Sequence, residues 1–313
     1  MRSQMEPETE QLLGTLELLA DKLYFDLPGH EDGGYIYSYV WEKNTRGKFN
    51  IFNLCQENSW LKLTDRQNII KSWRQLESAR RFNDFSLSSE EIKAWGNNID
   101  SLASIIQSLS NTEAYQINNI PYSIQYNIIL EQVDNDAWVG IAPTVYVETN
   151  IPHKVIARHT KYPKNPIEDY GDLAIEFNYK IKAIAAQLGS IELNGDFGGG
   201  YIYSHTHQII YAFGKTKELA FTNTLQKTGM LEISNFAGLY SDISYFDNYY
   251  PEYNTKNQYQ KYIRINQFME QNFSEVKVYR LASEISENIY ILGEIDAGDL
   301  VGLYLKSFFV YNP

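Results

Sequence analysis

The sequence predicts an α+β protein made of two tandem copies of one domain, each closing with an antiparallel hairpin. Residues 33–38, Gly-Gly-Tyr-Ile-Tyr-Ser, recur unchanged as residues 199–204, at an offset of 166. Five residues between 130 and 150 recur in the same order between 292 and 312, at an offset of 162. Helical and strand-like patterns also alternate along the chain. A repeat of this length indicates a duplicated globular domain, because solenoid units are much shorter.

The repeat divides the chain into a first domain over residues 1–150, a linker over 151–166 and a second domain over 167–313. The 313 residues are enough for two ordinary domains, and each half can bury a core of its own. The predicted linker carries three prolines and four basic side chains. Proline stiffens such a segment and disfavours regular structure.

Helices and strands alternate in the first copy. We expect a helix over residues 8–25, a strand over 35–41, helices that begin at 64 and 88, and strands over 126–133 and 138–149. The pairs Thr64–Gln67 and Ser88–Glu91 have the spacing of a capping box, which marks the start of a helix. The turn-forming residues 134–137 join the last two strands into a hairpin.

The second copy repeats this plan. We expect helices over residues 167–188, 217–230 and 256–271, and strands over 201–213, 275–281, 288–295 and 300–311. Residues 296–299, Asp-Ala-Gly-Asp, form the turn of the closing hairpin. Helices mixed with a terminal antiparallel meander are typical of a layered α+β architecture.

The net charge of −12 argues against a nucleic-acid-binding protein, because phosphate neutralisation needs a basic surface. A negative charge is compatible with a basic protein partner, and it is equally compatible with a charge that only keeps the protein soluble.

The single cysteine, Cys55, excludes an intrachain disulfide and a cysteine-based zinc site, and its apolar neighbours predict a core position. Residues 1–11 lack a signal-peptide pattern and no segment is apolar enough to span a membrane, so we expect a cytoplasmic protein.

His205 and His207 lie two residues apart, which places both on one face of the predicted strand. Such a pair can bind a metal, and with a carboxylate such as Asp196 it would support a metal-assisted hydrolase. The repeat matches these positions to Tyr39 and Trp41, which cannot replace imidazole ligands, so ring packing is the favoured interpretation. Since no nucleophile motif accompanies the pair, we expect a non-enzymatic protein without a cofactor.

Two acidic turns and a tyrosine-rich segment are the candidate binding surfaces. Residues 284–299 contain five carboxylates and no basic residue, and residues 240–259 contain six tyrosines. Tyrosine is enriched in protein interfaces, although an ordinary solvated surface would have the same composition. The candidate partner-binding residues are Glu294, Asp296, Asp299, Asp134, Asp136, Tyr249 and Tyr250.

Residues 273–280, Phe-Ser-Glu-Val-Lys-Val-Tyr-Arg, and residues 289–303 resemble the end of the nuclease A inhibitor family. The shared features are the Val-Tyr-Arg strand, a strand that ends near a glycine, and the Gly-Asp turn at 298–299. The first copy ends with Val-Glu-Thr at 147–149, which is the closing tripeptide of that family. Each copy therefore resembles the family in a different part of its last segment.

The resemblance implies an α/β/α sandwich in each copy and inhibition of a sugar-nonspecific, metal-dependent nuclease. In the family the closing residues reach into the nuclease, which adds Glu148 and Thr149 to the candidate partner-binding residues. We therefore expect an inhibitor of a nuclease or toxin that acts through acidic loops and tyrosines, with a protein partner and no direct contact with nucleic acid. The alternatives are the metal-assisted hydrolase and a glycan-binding or scaffold module.

Overall fold

The computed structural model describes residues 5–26, 32–77, 87–107, 109, 111–118, 126–147, 156–158, 167–196, 202–239 and 255–309. These residues form helices and antiparallel sheets, so the predicted α+β class is confirmed. The chain divides into two compact units. Unit 1 contains residues 1–49, 147–161 and 231–313, and unit 2 contains residues 50–146 and 162–230.

The elements are numbered in chain order. The α-helices are α1 Pro7–Ala20, α2 Lys43–Arg46, α3 Ile51–Glu57, α4 Arg66–Arg74, α5 Ser89–Gln107, α6 Asp172–Leu188, α7 Lys217–Thr228 and α8 Thr255–Asn272. The strands are β1 Tyr24–Asp26, β2 Asp32–Trp41, β3 Leu61–Leu63, β4 Asn111–Ile117, β5 Tyr126–Asp134, β6 Ala137–Pro143, β7 Ala157–Arg158, β8 Ile191–Asp196, β9 Ile202–His207, β10 Ile209–Gly214, β11 Leu231–Phe236, β12 Val276–Ser283, β13 Ser286–Glu294 and β14 Leu300–Phe309. A short 3-10 helix, Ile167–Asp169, precedes α6.

Unit 1 is built on a seven-stranded antiparallel sheet with the order β1-β2-β14-β13-β12-β11-β7. Because side chains alternate between the two faces of a strand, every second residue of these strands points to the same side. Ile36, Leu303 and Ile291 lie on one side and share a buried cluster with Leu16 of α1 and Met269 of α8. Burying these side chains against the two helices supplies the main hydrophobic stabilisation of the unit.

The other side of the unit 1 sheet is rich in tyrosine. Tyr37 lies opposite Tyr304, which lies opposite Tyr290 in the next strand. The rings of Tyr290 and Tyr304 have centroids 4.8 Å apart, and those of Tyr39 and Tyr290 have centroids 4.9 Å apart. Edge and tilted contacts at this spacing stabilise a sheet beyond simple burial.

Unit 2 contains a five-stranded antiparallel sheet with the order β10-β6-β5-β4-β3 and a two-stranded sheet, β8-β9. Its core brings residues from α4, α5 and α6 together with sheet residues such as Ile129 and Ile141. Trp95 and Trp73 are both buried here, and the Trp95 indole N–H donates to the Trp73 carbonyl at 2.9 Å. That bond satisfies a buried polar group, so Trp95 can stay in the core without a desolvation cost.

Each unit contains a three-stranded antiparallel meander and takes its elements from both halves of the chain. In unit 1, β2 from the first half lies beside β14, the last strand of the β12-β13-β14 meander from the second half. In unit 2, β10 from the second half lies beside β6, the last strand of the β4-β5-β6 meander from the first half. The opening segments of the two halves are therefore exchanged.

This exchange differs from the predicted division into residues 1–150 and 167–313. Each half contributes its opening helix and strands to one unit and its closing meander to the other. The unit boundaries therefore fall near residues 49 and 230 as well as near residues 146 and 161, close to the ends of the predicted linker. The described part of the predicted linker, residues 156–158, contains β7, which pairs with β11. Strand pairing within a sheet, rather than proximity in sequence, decides which residues form a unit.

Several local predictions are confirmed and others need correction. The Ser88–Glu91 capping box is present, since Glu91 Oε2 accepts the Ser88 backbone N–H at 2.8 Å. The cap predicted at Thr64 is displaced by one residue, because Asp65 accepts the Gln67 N–H at 2.8 Å and α4 begins at Arg66. Asp is as good an N-cap as Thr, so the residue next in the chain takes the role.

Other corrections concern strands. The predicted strand over 201–213 is interrupted at Gln208 and forms β9 and β10, which lie in different sheets. The helix predicted over 8–25 ends at Ala20, because Tyr24 to Asp26 pair with β2. Strands β1, β3, β4, β7, β8 and β11 and helices α2 and α3 were not predicted. Both closing hairpins, β5-β6 and β13-β14, lie where the turn residues predicted them.

Candidate functional site

The hairpin between β13 and β14 forms a tight turn at one end of the unit 1 sheet. The Gly298 N–H donates to the Ile295 carbonyl at 2.8 Å, and the Ile295 N–H donates to the Asp299 carbonyl at 3.0 Å. Gly298 has a φ of 84°, a conformation that favours glycine because it has no Cβ. The turn presents Glu294 and Asp296 to solvent.

Asp299 does not belong to the exposed surface on which it was predicted. Its side chain is buried, with Oδ2 accepting the Thr9 hydroxyl at 2.7 Å and Oδ1 accepting the Lys43 backbone N–H at 2.8 Å. The carboxylate therefore ties α1 and the start of α2 to the hairpin. A carboxylate that accepts two short bonds inside the unit holds the turn in place rather than contacting a partner.

The contact between Thr9 and Asp299 brings the start of α1 beside the turn. Thr9 is buried, whereas its neighbours in the first turns of the helix are exposed. We call this part of unit 1 the acidic end, and define it by its five exposed carboxylates: Glu6, Glu8, Glu10, Glu294 and Asp296. The helix dipole favours negative charge near a helix N-terminus.

One basic side chain lies over this turn. A Cβ on Gly298 would lie 2.8 Å from Lys43 Nζ, which places the lysine against the turn backbone.

The sequence did not predict that α1 contributes to the acidic end. Pro7 followed by Glu8 and Glu10 was a visible helix start, but local pattern does not say which turn a helix start contacts.

The equivalent hairpin of unit 2 carries Asp134 and Asp136. Asp134 is half-buried, and its Oδ1 accepts the Asn135 N–H at 2.7 Å. Its other oxygen lies over the start of α6, since a Cβ on Gly171 would be 2.8 Å from Asp134 Oδ2. Asp136 is exposed. Of the two predicted residues, Asp136 is therefore the one available to a partner.

Four predicted binding residues, Glu148, Thr149, Tyr249 and Tyr250, lie outside the described residues. A different aromatic surface is present on unit 1. We call it the tyrosine face, and define it by five residues on the side of the sheet opposite α1 and α8: Tyr24, Tyr35, Tyr37, Tyr304 and Phe308.

Tyr35 and Tyr37 are more than half exposed, at 54% and 56%. The rings of Tyr24 and Tyr35 are in edge contact with centroids 5.0 Å apart, and the Tyr304 hydroxyl donates to Asn288 Oδ1 at 2.8 Å. Sequence reasoning missed this face. The signal was the period-two spacing of Tyr35 and Tyr37 within the repeated hexapeptide.

The two histidines lie on β9 in unit 2, and their rings are packed against other rings. His207 is buried, with its ring centroid 6.0 Å from that of Trp95 and 6.5 Å from that of His205. Burial, and then the neighbouring His205, lower the pKa of His207 to about 4. Burial also lowers the pKa of His205, whose Nε2 is 3.3 Å from the Thr144 hydroxyl. This geometry agrees with the ring-packing interpretation.

The repeat match used for these histidines does not carry over to strand pairing. Tyr39 and Trp41 pair with β14, whereas His205 and His207 pair with β8.

Across the described residues, no group of three or more His, Cys, Asp or Glu side chains is placed to hold a metal ion. Cys55 is buried as predicted, and burial raises the pKa of its thiol.

Aromatic residues such as those of the tyrosine face are enriched in protein interfaces. The family model described as Nuclease A inhibitor-like protein matches residues 205–308, about a third of the chain. This match includes the β13-β14 hairpin, and the similarity indicates a protein-binding role for the region. No curated protein matches the chain. None of the described helices is long and apolar enough to cross a membrane.

Proposed function

We propose that this protein is a non-enzymatic, cytoplasmic inhibitor that binds a nuclease or toxin through the acidic end of unit 1. The observation that carries the proposal is the position of the β13-β14 hairpin. It lies inside the segment that is similar to the nuclease A inhibitor-like family. It also holds two exposed carboxylates, Glu294 and Asp296, close to the start of α1, where Glu6, Glu8 and Glu10 are exposed.

The charge of the acidic end fits this kind of partner. A nuclease of broad specificity binds the phosphate backbone, so its active-site cleft is lined by basic groups. A compact set of exposed carboxylates offers the same sign of charge as the substrate and accelerates encounter with such a cleft. The net charge of −12 supports that attraction over longer distances.

The rigidity of the turn also supports the proposal. Asp299 anchors the hairpin through Thr9 and Lys43, and Gly298 allows the tight turn without strain. Carboxylates held on a fixed turn lose little conformational entropy when they bind. Tandem duplication of the inhibitor-like domain is part of the proposal, and the sequence repeat and the antiparallel meander in each unit support it.

The test is an inhibition assay with a sugar-nonspecific, metal-dependent nuclease and plasmid DNA as its substrate. The test variant combines Glu294→Lys with Asp296→Lys, and the matched control is Asp136→Lys on the exposed turn of unit 2. We expect the double variant to raise the inhibition constant at least tenfold, the control to leave it within about twofold, and added salt to weaken inhibition.

Two results would contradict the proposal. One is the absence of inhibition by the folded chain at micromolar concentration, with folding verified by circular dichroism. The other is equal inhibition by the parent chain and the Glu294→Lys, Asp296→Lys variant. An effect of Asp136→Lys as strong as that of the double variant would show that the acidic end is not the specific binding surface.

A further inference from the structure

Strand β2 has an open edge in unit 1. Its first residues pair with β1, with Asp26 opposite Gly33 and Tyr24 opposite Tyr35. The last described hydrogen bond between backbone groups on this side joins the Ile36 N–H to the Leu23 carbonyl at 2.9 Å. From there β2 continues to Trp41 with β14 on its other side, and no described strand pairs with it on the β1 side.

The backbone groups along this edge have a defined direction. In an antiparallel sheet, the N–H and C=O of every second residue point to the same neighbour. Since the Ile36 N–H points towards Leu23, the backbone groups of Ser38 and Val40 point to the same side. Arg46 Nη1 donates to the Val40 carbonyl at 3.3 Å. The Ser38 N–H, the Ser38 carbonyl and the Val40 N–H remain directed at the open edge.

A groove of about 470 Å³ runs along this edge, beyond Tyr24, the first residue of β1. One wall is the end of α1 with the turn that follows it, including Glu17, Asp21 and Lys22. The other wall is β2 itself, including Tyr35, Tyr37 and Ser38. An extended chain of about five residues spans roughly 17 Å, which matches the length of β2 beyond β1.

The two walls differ in chemistry. Glu17 and Asp21 are exposed on the α1 side. Two lysines lie close to them: Lys22 lines the groove, and Lys261 Nζ donates to the Asp21 backbone carbonyl at 2.5 Å. Tyr35 and Tyr37 belong to the tyrosine face on the opposite side of the sheet. A strand added here would direct alternate side chains to these two sides. Residues next to α1 would meet carboxylates, and residues next to the tyrosine face would meet aromatic rings.

We propose that the open edge of β2 binds an extended segment of a partner protein as an added strand. The segment alternates basic residues, which face Glu17 and Asp21, with apolar or aromatic residues, which face Tyr37. Backbone hydrogen bonds to Ser38 and Val40 supply affinity, and the two side-chain rows supply specificity, as in other cases of strand addition. This site is separate from the acidic end and does not depend on nuclease inhibition.

The experiment uses the full chain and three fluorescent, end-capped eight-residue peptides that alternate valine with lysine, glutamate or serine. Fluorescence anisotropy measures the affinity of each peptide. We expect the lysine peptide to bind at least ten times more tightly than the glutamate peptide. In Ser38→Pro the edge N–H is lost and the lysine peptide weakens at least tenfold, whereas Ser38→Ala keeps the N–H and binds within about twofold of the parent.

Proline is tolerated where a strand N–H faces solvent, so Ser38→Pro is expected to fold, and thermal unfolding checks this. A second variant, Glu17→Lys with Asp21→Lys, leaves the strand unchanged and should reverse the preference in favour of the glutamate peptide. The proposal is wrong if none of the three peptides binds, if all three bind equally, or if folded Ser38→Pro binds the lysine peptide as tightly as the parent does.

Discussion

Thr9 and Asp299 lie 290 residues apart in the chain and are joined by a buried hydrogen bond of 2.7 Å. The bond links the first helix to the last hairpin of the protein. It belongs to an arrangement in which β2 and β14 also pair, so that both ends of the described chain build the same unit. The acidic end exists only because these distant segments meet.

Replacing Asp299 should destabilise unit 1. Asp299→Ala leaves the buried Thr9 hydroxyl and the Lys43 N–H without their acceptor, which we expect to lower the free energy of unfolding by about 2–3 kcal/mol. Denaturant unfolding measures the loss. The matched control is Asp296→Ala on the exposed turn, which should change stability by less than about 0.5 kcal/mol. Similar effects for the two variants would contradict an anchoring role for Asp299.

Cutting the chain between its halves should leave the fragments associated. With a protease site inserted between residues 159 and 166, cleavage separates β2 from β14 and β6 from β10 in the chain but not in the sheets. Because both units contain strands from both fragments, we expect the cleaved protein to elute from a size-exclusion column as one species. The fragments should separate only in denaturant.

A control for the cut is a site inserted in the β13-β14 turn, where cleavage leaves β14 paired with both β2 and β13, so this protein should also elute as one species. Two folded fragments that separate without denaturant after cleavage between residues 159 and 166 would rule out the exchange of opening segments. That result would instead support two domains that are contiguous in sequence.

The stability of unit 2 should depend on the ionisation of His207. Its pKa falls from 6.5 to about 4 on folding, because burial disfavours the charged imidazolium. Between these values the unfolded chain binds a proton that the folded chain does not, so the free energy of unfolding decreases as the pH falls from about 6.5 to 4. The decrease from this one group is on the order of 3 kcal/mol.

The variant His207→Phe keeps a ring beside Trp95 and removes the titration, so its unfolding free energy should lose this part of the pH dependence. Glu131 contributes with the opposite sign, because burial raises its pKa to about 7 and the folded chain retains a proton that the unfolded chain releases. The test is therefore the difference between the parent and His207→Phe from pH 7 to 4. Parallel curves would show that His207 does not titrate as described.

Much of the local structure could be predicted from residue pattern. Two kinds of feature depend on bonds between residues that are close in sequence, so the neighbouring residues are enough to predict them. They are the capping box at Ser88 and Glu91 and the hairpin turns at 134–137 and 296–299. Strand β4 was missed because it begins with Asn111 and contains Glu113, two polar residues with low strand propensity. Pairing with β5 across the hydrogen-bond ladder overrides that preference.

The exchange and the composition of the acidic end could not be predicted in this way. The sequence repeat says that two similar sets of strands exist, but it does not say which β2-like strand pairs with which meander. Asp299 looked like Asp296 in the sequence, since both occupy the same turn. Only the positions of Thr9 and Lys43 distinguish the buried carboxylate from the exposed one.

The exchanged strands also set the order in which the protein can fold as it leaves the ribosome. Unit 2 has all of its strands once residue 230 has been made, because β10 completes its sheet. Unit 1 waits for β14, about 80 residues later, which is roughly 4 to 16 seconds at ordinary rates of synthesis. Throughout that interval β2 has β1 but not β14 as a neighbour, so one edge of the strand and its tyrosines stay exposed on the nascent chain.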